Sequence, residues 1–129
     1  MNYKEKLEAT KILYPFDKWR EWFLPNEDED FGGMEQYTPE NCDKAQAVLD
    51  NLINQLVSLG ENASETDKVE LFKNAILQLN DLNDSIRGLI ETGEREDLCE
   101  LIDLITVASG LDPEDYGDGE GIADEWREW

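Results

Sequence analysis

The chain has 129 residues, 40% of them apolar, with 32 acids against 11 bases, a net charge of −21 and no histidine. That length fits one domain with apolar content enough for a core. The charge excludes ordinary binding to phosphate backbones or anionic lipid surfaces and favours a basic protein or a cation. The missing histidine removes the commonest general base and metal ligand, and every Ser-His or Cys-His nucleophile pair.

Residues 3–14 carry a weak helical pattern (Tyr3, Leu7, Ile12, Leu13, Tyr14) that Pro15 ends. Asp17 is placed to cap a short second helix with Phe16, Trp19 and Phe23 on one face and Trp22 beside them, before Pro25. Residues 26–33, "NEDEDFGG", read as a charged loop. Thr38-Pro39-Glu40 is a strong helix start. Ala45, Val48, Leu49, Leu52, Ile53, Leu56 and Leu59 follow at spacings of three and four, up to Gly60.

Ser64 and Asp67 form the next capping pair. The stripe behind them (Val69, Phe72, Ile76, Leu79, Leu82, Ile86, then Leu89 or Ile90) predicts a helix to about Glu91, ending near Gly93. From Glu94 to Ala108 apolar residues cover most of the circumference, which predicts a buried helix at the centre of the bundle. Asp112-Pro113-Glu114 opens another short helix and "GDGEG" breaks it. Ile122, Trp126 and Trp129 then line one face of a terminal helix. No strand periodicity competes.

The expected fold is therefore all-α, a single compact bundle of about five to six helices. Residues 1–36 form a less regular aromatic segment and 37–129 the main bundle. No apolar run approaches the roughly 20 residues of a membrane span, and the N-terminus lacks a signal-peptide core. Cys42 and Cys99 match no metal spacing and read as reduced thiols. A cytoplasmic location follows as an expectation.

The tetrapeptide WREW occurs twice, at 19–22 and 126–129, and holds all four tryptophans. Tryptophans three apart on a short helix either pack into a core or form an exposed patch rimmed by acids. Short helices are marginal alone, so both segments are expected to dock on the 94–108 helix or its neighbours.

Charge is unevenly spread. Residues 25–43 carry seven acids and no base, 44–60 are neutral, and 98–129 hold ten acids and one base, Arg127. "GDGEG" is no phosphate cradle, since Asp118 and Glu120 repel a phosphate and no strand precedes it. An EF-hand register with Glu114, Tyr116, Asp118, Gly119 and Glu125 at positions 1, 3, 5, 6 and 12 has a wrong residue at position 3. It leaves weak calcium binding as an alternative. No catalytic, metal or cofactor residues are assigned.

The segments "YTPENCDKAQAVLDNLINQL", "LFKNAILQLNDLND", "LCELIDLITVASGL" and "IADEWREW" resemble a bacterial family of small acidic proteins of unknown function. The resemblance spans about residues 37–129, implies a helical fold and a bacterial source, and carries no catalytic residues. In size and charge the chain also resembles bacterial immunity proteins, which bind and block toxins. The resulting expectation is an acidic inhibitor of a basic toxin, such as a nuclease, that touches its partner through Glu27, Asp28, Glu29, Asp30, Asp112, Glu114, Asp115, Asp118 and Glu120. The alternative inhibitor reading is a nucleic-acid mimic that blocks a DNA-binding defence enzyme.

Overall fold

The two longest helices begin where the sequence places caps. The computed structural model describes residues 2–23, 37–86 and 88–129, with only the backbone of Trp22 and Phe23. Thr38 Oγ1 accepts from the Asn41 amide at 3.1 Å, and Ser64 Oγ from the Asp67 amide at 3.1 Å. These caps open α3 (Pro39–Leu59) and α4 (Glu65–Ser85). The short link through Gly60 makes the pair an αα-hairpin. Before it come α1 (Tyr3–Ala9), which runs on as a 3-10 turn over Thr10–Leu13, and α2 (Phe16–Phe23); after it comes α5 (Thr92–Ser109).

The described residues are mostly helical and contain no strand, so the all-α expectation holds. The count of five to six helices is slightly off, because the expected terminal helix is a set of 3-10 turns at Pro113–Asp115, Gly117–Gly119 and Ile122–Glu125. Among the described residues no helix is long and apolar enough to cross a membrane.

The apolar stripes meet in one core. Leu49, Ile53, Leu56, Phe72, Leu79, Leu98 and Leu101 are all fully buried, each contributing roughly 1.5–3 kcal/mol relative to exposure. α3 packs on α1, α2 and α4, while α5 packs on α1 and on the C-terminal turns. α5 is not the wholly buried central rod that its composition suggests. Val107 is 59% exposed and Leu104 36%, and Glu96 and Glu100 face solvent. Its buried face is a stripe of Leu98, Leu101, Ile102 and Ile105.

Two boundaries move for physical reasons. α4 stops at Ser85 and not near Glu91, because Ile86 is extended and a turn follows through Gly88. That turn still buries Leu89 and Ile90, which satisfies the apolar period without helix. The Asn83 side chain accepts from the Ile90 amide at 2.9 Å, and Tyr37 donates to the Leu89 carbonyl at 3.2 Å. Asp17 lies inside the first turn of α2 and is not its cap; its carboxylate pairs with Arg20 at 2.9 Å.

Both tryptophan segments dock as expected. Trp19 is fully buried, edge-on to Phe16 with ring centroids 5.3 Å apart and 5.8 Å from Tyr37. Its indole N–H reaches Asp97 of α5 at 3.4 Å, and Lys18 pairs with the same carboxylate at 2.8 Å. Arg20 holds α2 to α3 through Asp43 at 2.6 Å and Gln46 at 2.8 Å. The second copy is not helical. Asn80, buried on α4, donates to the Trp126 carbonyl at 2.9 Å and accepts from the Glu128 amide at 2.9 Å. This two-point grip ties the end of the segment to α4, where Trp129 is buried.

Asn80→Ala leaves both backbone groups without their partner, and is expected to cost about 2–3 kcal/mol in urea unfolding followed by circular dichroism. Removing residues 126–129 should cost more, because it also uncovers the Trp129 pocket. A truncated protein with an unchanged midpoint would return these tryptophans to the role of an exposed binding surface.

Candidate functional site: an acidic ridge after helix α5

The ridge starts where α5 ends. Gly110 adopts a left-handed conformation (φ 97°), and the Leu111 amide reaches back to the Thr106 carbonyl at 3.0 Å. This is the ordinary glycine-ended helix stop. The Asp112 carboxylate then accepts from the Glu114 amide at 3.0 Å, with Pro113 pre-set for the turn. The amides of Gly119 and Gly121 both return to the Tyr116 carbonyl, at 3.0 and 3.2 Å. Residues 112–121 are thus a chain of hydrogen-bonded turns.

One close approach seats this segment against α5, and a second folds it onto the C-terminal turn. A Cβ on Gly121, whose φ is +117°, would lie 2.5 Å from Asp103 Oδ1 of α5, and one on Gly117 would lie 2.7 Å from the Asp124 Cβ. Glu125 accepts from the Gly117 amide at 2.6 Å, and the Tyr116 hydroxyl donates to Glu65 of α4. Burial, then the bond to Glu65, pushes the Tyr116 phenol well above its usual range.

Asp112, Glu114, Asp115, Asp118 and Glu120 are all exposed on this frame. Asp118 takes a left-handed conformation (φ 54°), which Asp tolerates better than most residues. A cleft of about 320 Å³ joins Asp112, Asp115 and Tyr116 to Glu65 and Lys68 of α4. The start of α4 therefore belongs to the same acidic surface. Sequence reasoning missed Glu65 because nothing local reveals that it meets Tyr116, 51 positions away. Glu27, Asp28, Glu29 and Asp30 lie outside the described residues.

The residues of the calcium register have hydrogen-bond partners of their own. Its twelfth-position carboxylate, Glu125, is taken by the Gly117 amide, and its third-position Tyr116 by Glu65. Among the described residues no group of three or more Cys, Asp or Glu is placed to hold a metal ion.

No family model, curated protein or solved structure matches this chain. Burial pushes the thiols of Cys42 and Cys99 up, away from the reactive thiolate. Among the described residues two carboxyls also have raised pKa values, Glu94 and Asp103, both chiefly through burial. Asp103 faces Asp124 as well, and that like charge raises it further. Neither lines the 320 Å³ cleft.

Asp103 holds its proton more readily in the folded chain, so folding takes up protons just above the ordinary Asp range. Stability consequently falls as pH rises through that window. Asp103→Asn is expected to raise the melting temperature at neutral pH, with the gain shrinking as the pH is lowered toward the ordinary Asp pKa. A gain that grows on acidification would contradict this assignment.

Proposed function

We propose that the chain is an acidic binding protein that neutralises a basic partner by occlusion, in the manner of an immunity protein against a toxin such as a nuclease. One observation carries this reading: five carboxylates at 112–120 are exposed on a hydrogen-bonded, glycine-anchored frame that meets α4 through Tyr116 and Glu65. A pre-formed array of charge costs less ordering entropy on binding than a solvated loop does. It also steers a cationic partner toward the surface, and it fits a site built to hold phosphates.

Asp112 and Asp115 share one cleft with Glu65 at the end of α5 and the start of α4, which supports the reading of a compact inhibitory contact. A basic partner would meet carboxylates at the rim and the Tyr116 ring between them.

The experiment compares two variants against a panel of basic nuclease toxins, followed by nuclease inhibition. One carries amides at Asp112, Glu114, Asp115, Asp118 and Glu120. The other carries the same number of amides on exposed acids of α3 and α4 away from the ridge. The ridge variant should bind a cognate toxin roughly 100-fold or more weakly, chiefly through a slower and less salt-sensitive association. The control variant should lose much less. Equal losses would show that net charge alone matters and would sink the ridge as a site.

A further inference from the structure

The strongest unassigned feature is the outer face of the α3–α4 hairpin. In a chain of net charge −21, Ala45–Gly60 contains one charged residue, Asp50. That carboxylate is turned to the other side of α3, where it accepts from the Tyr14 hydroxyl at 2.8 Å and lies 3.9 Å from Lys11. The solvent side of this stretch is thus amide and apolar.

Two clefts run along it between α3 and α4. One, of about 380 Å³, has Val48 and Leu82 in its wall and Gln78 at its edge. The other, of about 470 Å³, is lined by Asn54, Gln55, Leu59 and Leu71. Asn51 lines both, so they join near the middle of α3. Among the lining residues only Lys44 and Asp81 carry charge, and their signs are opposite.

We propose that this face is a self-association surface, on which a second copy of the chain docks to complete a four-helix bundle. Three arguments select a second copy. First, depletion of charge at the centre is the compositional mark of a protein interface, and this is a face across which two strongly acidic chains repel little. A basic partner has no electrostatic reason to choose it.

Second, the size suffices. α3 and α4 have 21 residues each, so each is about 30 Å long. At a spacing of about 10 Å, and with each helix about 10 Å across, their open side is about 20 Å wide and offers roughly 600 Å² per copy, or roughly 1,200 Å² for the pair, the lower bound of a stable interface.

Third, the chemistry is self-complementary. A two-fold axis through the middle of α3 brings Asn51 opposite the partner's Asn51, and an amide both donates and accepts. Polar residues of this kind set register in helical assemblies.

Sedimentation equilibrium of the full chain tests the proposal. The expected result is a reversible dimer at micromolar concentration that tightens as salt rises, because salt screens the repulsion between two acidic chains. Binding of a basic toxin through the ridge has the opposite salt dependence, so the two readings fail separately. Asn51→Asp places like charges across the axis and should weaken the dimer roughly tenfold or more with unchanged circular dichroism. As an independent check, Asn51→Cys should crosslink to its symmetry mate under mild oxidation. A wild type that stays monomeric at high salt, or a dimer indifferent to Asn51→Asp, overturns the proposal.

Discussion

The structure depends on one buried side chain of positive charge in a strongly negative molecule. Lys68, only 6% exposed, donates to the Glu61 carbonyl at 2.7 Å and to the Ser109 carbonyl at 2.8 Å. Its Nζ also lies 5.6 Å from the centre of the Tyr3 ring, whose hydroxyl donates to the same Ser109 carbonyl at 3.2 Å. A cation at the last carbonyls of α5 complements the helix dipole. In one place it joins α1, the loop after α3, α4 and the end of α5. The acidic ridge leaves the bundle at that point, so Lys68 sets the base from which the ridge projects.

The two WREW segments show how differently one tetrapeptide can be used. The first is helical, and its Trp19 sits at the junction of α2, α3 and α5. The second is not helical at its end, where Asn80 bonds the Trp126 carbonyl and the Glu128 amide. Arg20 reaches across to α3, whereas Arg127 folds back locally onto Asp124 and the Trp129 carbonyl. They are two unrelated closures of one core.

What was legible from sequence was local. Thr38, Ser64, Gly60 and Gly110 mark helix ends through the chemistry of caps, and the stripes of α3 and α4 name their buried residues. Less legible were features decided by partners far along the chain. The apolar run at 98–108 reads as buried all round, yet no further element covers Leu104 and Val107 among the described residues. The stripe ending at Leu89 and Ile90 reads as helix, because a period cannot distinguish a helix from a turn that buries the same side chains. Of the ridge, the exposed acids were foreseeable from charge alone; their frame was not. Glu65 and Asp103 meet it over separations that no local pattern encodes.

Residues 110–121 are a pre-formed surface held from Lys68, and amide hydrogen exchange reads this out. In the wild type the amides of Leu111, Gly119 and Gly121 should be protected, since they bond to the Thr106 and Tyr116 carbonyls. In Lys68→Met they should exchange faster, while Leu52 and Leu56 of α3 stay protected. Exchange of the three ridge amides at the rate of an unstructured chain in the wild type would contradict the account and reduce the ridge to a solvated loop.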